Sequence, residues 1–168
     1  MIKKFIISFL INIVQFFRNA LNPADIVQLH RLYSSSEPPP VELIRIPQFL
    51  GLLIEALFKP GAKINQEHKS KYIFLLAYAS SVCDSWSMKK GNRKTLNKDE
   101  VKGTMQALEK VHSICSANKG NMDLLAELNS LYQCIKFPVV SVGIIRWVEA
   151  IVSEANYFSL SSDYCPIH

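Results

Sequence analysis

The stretch that decides the fold is residues 47–81, PQFLGLLIEALFKPGAKINQEHKSKYIFLLAYASS. Its first part carries apolar residues at spacings of three and four, which is typical of an amphipathic helix. Pro47 suits the first turn of that helix, and the turn-forming pair Pro60-Gly61 predicts its end. Asn65, a favoured N-cap residue, predicts the start of a second, longer helix. The stretch therefore predicts two helices joined by a short connector.

Each of these two helices has one apolar stripe that needs a covering neighbour. The stripes consist of Phe49, Leu50, Leu53, Leu57 and Phe58 in the first helix and of Tyr72, Leu75, Leu76, Ala79, Cys83 and Trp86 in the second. The basic run that begins at Lys89 predicts the end of the second helix.

Three more amphipathic patterns follow toward the C-terminus. The first begins with Asn97 and Glu100, whose spacing lets each side chain bond the other's free backbone N–H group. The second opens at Asn121 and is broken by Pro138, and the third fades near Asn156. Their stripes are Val101, Met105, Leu108, Val111 and Cys115; then Leu124, Leu125, Leu128, Leu131, Tyr132 and Ile135; then Val142, Ile145, Val148, Ile151 and Val152.

The fold class predicted from these patterns is all-α. Short connectors make neighbouring helices pack antiparallel, which favours a HEAT-like array of antiparallel helical hairpins, a fragment of a longer solenoid. No strong internal repeat fixes the period, so a compact helical bundle stays open. A chain of 168 residues with 49% hydrophobic side chains supports one core. We therefore expect one helical-repeat domain over residues 20–168.

Residues 1–19 form an atypical hydrophobic N-terminal segment. Phe5–Phe17 is almost wholly apolar and follows Lys3 and Lys4, as in a targeting signal. It is shorter than the roughly 20 apolar residues that span a bilayer. Two interpretations stay open: a buried helix or an erroneous gene start, and a membrane or targeting segment. The second would make the chain a small membrane-anchored helical protein.

The composition excludes some classes of site. The cysteines, Cys83, Cys115, Cys134 and Cys165, lie far apart without a CxxC pair, and the histidines are equally scattered. This pattern favours reduced cysteines in an intracellular protein over a disulfide framework or a zinc site. We expect no metal and no cofactor.

No motif for catalysis stands out. The sequence has no GxSxG, no Walker A loop and no HExxH. His112 and Cys115 are three residues apart and would bring a base near a thiol on one helix. Cys115 belongs to a core stripe and His112 borders it, so packing is the favoured interpretation. The sequence predicts a protein that is not an enzyme.

Two other features invite a binding interpretation. Trp86 and Trp147 would suit a binding site, but they lie on or beside core stripes, which favours packing. The segment 34–40, SSSEPPP, suits either a polyproline docking segment or a spacer between helices, and we favour the spacer.

The basic residues are more informative. Nineteen basic against fourteen acidic residues give a net charge of +5, an excess that favours polyanions. Between residues 89 and 98 every charged side chain is basic. Lys98 and Lys102 are four apart on one helix and project from the same side. The candidate nucleic-acid-binding residues are Lys89, Lys90, Arg93, Lys94, Lys98 and Lys102.

A solvated charged loop is the alternative interpretation of this cluster. Asp99, Glu100 and Glu109 lie close enough in sequence to weaken the positive field. No aromatic residue is interleaved with the basic ones to stack on bases.

Four irregular strings carry a family resemblance. They are LYSSSEPPPVE at 32–42, LFKPGAKIN at 57–65, NKDE at 97–100 and LYQCIKFPVV at 131–140. In this order and spacing the chain resembles the negative elongation factor C/D subunit family from about Ala24 onward. The resemblance implies a HEAT-like helical array.

The resemblance also implies a function. Members of this family belong to a four-part nuclear complex that holds RNA polymerase II paused near promoters. They bind negative elongation factor A, connect to negative elongation factor B and, together with the former, bind single-stranded nucleic acid. A lysine-rich loop after a tryptophan in the family matches the basic run behind Trp86. The resemblance thus implies single-stranded RNA contact through the candidate residues, and a nuclear location.

Two departures from the family stand out. Residues 1–19 do not resemble it, and the family continues beyond the segment that matches His168. We therefore expect the chain to be truncated at the C-terminus relative to the family.

Overall fold

The computed structural model describes three long stretches of the chain, residues 21–81, 98–116 and 138–162. It also describes single positions, namely 4, 8, 128, 129, 131, 133, 135 and 137. Within the three long stretches the secondary structure consists of five α-helices and one 3-10 helix, and none of the described residues is in a strand. The all-α prediction is confirmed for this part of the chain.

Helix α1 spans Pro23–Tyr33, a helix that the apolar patterns did not predict. Its start follows the usual rules, because the Asn22 side chain accepts a hydrogen bond from the backbone N–H of Ala24 and Pro23 occupies the first turn. Its inward face is short, with Ile26, Leu29 and Tyr33 buried.

A spacer follows α1, as predicted for residues 34–40. The Tyr33 hydroxyl donates a hydrogen bond to the carbonyl of Pro40 at 3.2 Å, which ties the spacer back to α1. The chain then forms the 3-10 helix Val41–Leu43.

Helix α2 spans Pro47–Phe58, as predicted, with the whole predicted stripe buried. Lys59 leaves the helix in an extended conformation. Gly61 has a φ of 74°, a left-handed conformation that a residue without a Cβ adopts at no steric cost. The connector is therefore set by glycine at the position where the sequence predicts a stop.

Helix α3 spans Gln66–Ser80, and its predicted N-cap is confirmed, because the Asn65 side chain accepts from the N–H of Glu67. Its end was predicted wrongly. The sequence predicts a helix that continues through Cys83 and Trp86, whereas Ser81 is already extended. The hydroxyls of Ser80 and Ser81 donate to carbonyls four residues back, a side-chain competition that favours ends and bends. Cys83 and Trp86 lie outside the described residues.

Helix α4 spans Lys98–Ser116 and buries the predicted stripe, with Met105 only partly buried. Thr104 and Ala107 complete its buried face. The predicted cap residue Asn97 lies outside the described residues, as does the predicted start at Asn121. Of the stripe predicted after Asn121, Leu131 and Ile135 are buried.

Helix α5 spans Pro138–Ser162 and thus continues past the predicted fade near Asn156. Its predicted stripe was partly wrong: Val142 is 65% exposed, whereas Val140 and Ile144 are fully buried. The run 139–145 is apolar on both sides, so periodicity alone does not choose the face. The contact between α5 and α2 determines which face is buried.

The helices pack around α2 and α3. Helix α3 contacts α1, α2 and α4, and α2 also contacts α5. Ring contacts join His30 to Phe74 and Tyr33 to Tyr78, so α1 and α3 run in the same direction. Together these contacts form one hydrophobic core.

Candidate nucleic-acid interface

Lys98 and Lys102 lie on the first two turns of α4. Both side chains are exposed, while Val101 and Leu108 on the opposite side are buried in the core. Residues four apart on a helix are neighbours on its surface. The structure therefore brings these two predicted residues together on one solvent-facing side.

The other four predicted residues, Lys89, Lys90, Arg93 and Lys94, lie outside the described residues. The residues between Ser81 and Lys98 lie outside the described part of the chain. A continuous basic surface between these two points stays a prediction.

Acidic side chains also lie on this part of α4. Asp99 is exposed and Glu100 is half-buried, and both take part in interactions within the protein. The Glu100 carbonyl accepts a hydrogen bond from the Thr104 hydroxyl at 3.0 Å, which keeps that hydroxyl within the helix. Farther along, Glu109 is exposed. The exposed charges of α4 are therefore mixed: Lys98 and Lys102 lie near Asp99, and Lys110 lies beside Glu109.

Arg45 fixes the end of α3. The predicted basic run follows this helix end in the sequence. Its Nε donates to the carbonyl of Ala79 at 2.8 Å, and its Nη2 donates to the carbonyl of Ser81. The guanidinium also lies 5.3 Å from the ring centroid of Phe137, just before α5. A planar, multidentate donor suits this joint better than an ammonium group. Sequence reasoning missed it, since its partners are 34 and 36 residues away.

Four ring side chains form a contiguous row across α1 and α3, which we call the aromatic row. Its ring centroids are 4.8 Å apart for His30 and Phe74, 5.7 Å for Phe74 and Tyr78, and 5.1 Å for Tyr78 and Tyr33. One signal of it is present in the sequence, since Phe74 and Tyr78 are four apart and lie off the predicted α3 stripe. The partner rings come from another helix, which spacing along the chain does not reveal.

The His112 and Cys115 pair has the environment of packed residues. The ring of His112 lies 6.2 Å from that of Phe58, and its Nδ1 is 3.0 Å from the Ser116 hydroxyl. Burial and the positive charge of Lys69 lower the pKa of His112. Burial raises the pKa of the Cys115 thiol to about 11, which disfavours the nucleophilic thiolate. This supports the packing interpretation.

Trp147, the other described candidate, is partly buried against the core. The Lys59 ammonium lies 6.0 Å from its ring centroid and 2.9 Å from a Glu55 carboxylate oxygen. Packing therefore accounts for this tryptophan, as predicted.

Features typical of other kinds of site are few in the described residues. A partly open cleft of about 480 Å³ lies beside the start of α3, lined by residues that include Leu52, Ile64 and Tyr72. Among the described side chains there is no group of three potential metal ligands. None of the described helices combines the length and apolar character needed to cross a bilayer. The segment 5–17, apart from Ser8, lies outside these residues.

The fold and the surface of α4 define an all-helical protein with an exposed basic turn and no assembled catalytic pair in its described part. The sequence matches the TH1 protein family over residues 10–168, and the chain belongs to that family.

Two curated relatives have the same name. Over 152 residues, which are 90% of this chain, it is 56% identical to negative elongation factor D of Mus musculus and 55% identical to that of Sus scrofa. The predicted resemblance to the negative elongation factor C/D family is thereby confirmed. The chain spans about a quarter of the length of these relatives, since the match covers 25% of each.

Proposed function

We propose that the chain acts as a non-enzymatic scaffold in the negative elongation factor complex and contributes to promoter-proximal pausing of RNA polymerase II in the nucleus. The observation that carries this proposal is the identity of 56% to negative elongation factor D over 90% of the chain. Negative elongation factors A and B are the partners that the family implies.

The scaffold is a HEAT-like array in this proposal. Helices α1 and α3 are second neighbours in the chain and pack side by side in the same direction. Stacked hairpins place second-neighbour helices in this way, because each hairpin repeats the direction of the one before.

The scaffold also contacts single-stranded RNA through its basic residues. Lys98 and Lys102 support this step, because both are exposed on adjacent turns. The contact includes Lys89, Lys90, Arg93 and Lys94, which precede α4 in the sequence. Such a contact is electrostatic and tolerant of base sequence, since phosphates carry no sequence information.

Salt dependence tests this contact. Replacing Lys98 and Lys102 by Ala removes two phosphate partners, so the slope of log affinity against log salt should fall by about 1.4 for a single strand. The Ala variant of the other four basic residues should lower it by roughly 3. Binding of fluorescent single-stranded RNA is measured at several salt concentrations, with negative elongation factor A present.

A matched control removes two positive charges elsewhere. Lys63 and Arg146 are exposed on other parts of the surface. Replacing both by Ala changes net charge as much as the Lys98 and Lys102 pair does, and should leave the slope unchanged. Equal slopes for wild type and both site variants would contradict the proposed RNA contact.

A further inference from the structure

The aromatic row runs from the core to the surface. Tyr33 and Tyr78 form its buried end, whereas His30 and Phe74 at the other end are only partly buried. The T-shaped contact between these two outer rings has an interplanar angle of 72°. The row therefore ends at the surface on an aromatic pair held in a fixed arrangement by packing behind it.

Two basic residues lie near the members of this outer pair in the sequence. Arg31 is exposed and follows His30 in α1. Lys71 lies one turn before Phe74 in α3, and its positive charge adds to the effect of burial in lowering the pKa of His30. The Nζ of Lys71 donates to the Glu67 carbonyl at 3.0 Å, which holds the ammonium against α3. Rings that reach the surface beside cations are a usual composition of a single-strand binding site, in which bases stack and phosphates meet positive charge.

We propose that His30 and Phe74, with Arg31 and Lys71 beside them, form a stacking site for a base of single-stranded RNA. This inference rests on the RNA contact proposed above. It adds aromatic rings on which a base stacks, because no aromatic residue is interleaved with the candidate basic residues.

The position of the row in the fold supports this. Helix α3 contacts both α1, which carries His30, and α4, which carries Lys98 and Lys102. Packed helices have axes 8 to 10 Å apart, so the axes of α1 and α4, which both contact α3, are separated by at most about 20 Å. A single strand of a few nucleotides spans that distance.

Stacking and phosphate contact differ in their response to salt. Replacing Phe74 by Leu retains apolar bulk but removes the ring. Base stacking is worth about 1 to 3 kcal/mol, so RNA affinity should fall about 5- to 150-fold. The salt slope should stay unchanged, because no cation is lost. Phe74→Trp should retain most of the affinity.

Trp147→Leu is the matched control, because Trp147 is also a partly buried ring beside a lysine. It lies on α5 and should not change the affinity. Thermal unfolding followed by circular dichroism shows whether each variant is folded.

A wild-type measurement makes the test independent of folding defects. The probe is an oligouridine that carries one 2-aminopurine, whose fluorescence is quenched on stacking. Quenching at saturation by the wild-type chain, and its loss in Phe74→Leu, would support the site. Salt-dependent binding without quenching would overturn the stacking site and leave the basic contact standing. All of these measurements are made with negative elongation factor A present, and no binding of RNA under that condition would overturn both.

Discussion

His30 and His112 are half-buried histidines whose pKa values are lowered, mainly by burial. A histidine with a lowered pKa binds fewer protons folded than unfolded. Its contribution to stability is therefore present above the unfolded pKa of about 6.5 and is lost as pH falls below it. The Nε2 of His112 is buried and makes no hydrogen bond in the described part of the chain, so a proton there would add an unsolvated donor.

We expect the chain to lose stability between pH 7.5 and 5.5, and the variant with both histidines replaced by Gln to lose less. The free energy of unfolding of each is measured by denaturant titration at both pH values. Carboxylates contribute equally to both proteins, so they cancel in the comparison. A double variant with the full pH dependence of the wild type would contradict the histidine assignment.

Arg45 is the next test at the scale of single residues. Arg45→Met keeps the apolar stem but leaves the carbonyls of Ala79 and Ser81 without this donor. Hydrogen bonds to charged groups contribute about 1.5 to 3 kcal/mol, and the variant should lose at least that much stability. Arg45→Lys should lose less, because one charge-assisted bond survives. A loss within about 0.5 kcal/mol for Arg45→Met would show that the joint is not held by this residue.

Local signals predicted the structure correctly where a residue acts on its own backbone. Asn65 caps a helix and Gly61 turns the chain after α2 because of properties that each carries alone. Arg45 and Phe74 were missed because their partners are distant in the sequence. Caps and turns were thus predictable from the sequence, and contacts between helices decided the rest.

At the scale of elements, the orientation of α5 is the sharpest test. Ile144 is fully buried against the core, whereas Val142 is 65% exposed. Ile144→Ala should lower stability by about 2 to 5 kcal/mol, because it leaves a cavity. Val142→Ala should change it by less than about 0.5 kcal/mol. A larger loss for Val142→Ala than for Ile144→Ala in denaturant titrations would indicate that α5 buries the face that periodicity predicted.

The wrong end predicted for α3 and the wrong face predicted for α5 have one physical origin. Stripe patterns identify helices well when one side is polar, as in α4. In α5 both sides of the run 139–145 are apolar, and in α3 the apolar pattern continues beyond Ser80. The buried face of α5 was set by its contact with α2, and the end of α3 was set by Arg45. The existence of α2 to α5 was predictable from these patterns, whereas α1 was missed and the ends of α3 and α5 were predicted wrongly.

At the scale of the whole molecule, only the part of the predicted basic site from Lys98 onward lies in the described residues. Two of the six predicted basic residues lie in the described part and are exposed together, as helix geometry required. The other four were chosen from charge and from the family resemblance. The spacing of Phe74 and Tyr78 was the one sequence signal near the proposed stacking pair of His30 and Phe74, and the pairing itself had none, since its two rings come from different helices.

The two functional interpretations of the chain differ in location. A nuclear scaffold should be extracted with chromatin and recovered with the other members of its complex. A membrane-anchored protein using the segment 5–17 should sediment with membranes until detergent is added. One affinity purification separates them.

The most direct measurement is to express the tagged chain in cells and identify by mass spectrometry what copurifies with it. We predict recovery of negative elongation factor A, from nuclear extract and without detergent. A variant with Ile144 replaced by Asp serves as the control, since a buried charge should disrupt the fold and abolish recovery. Recovery of the chain without any member of the negative elongation factor complex would contradict the scaffold proposed here.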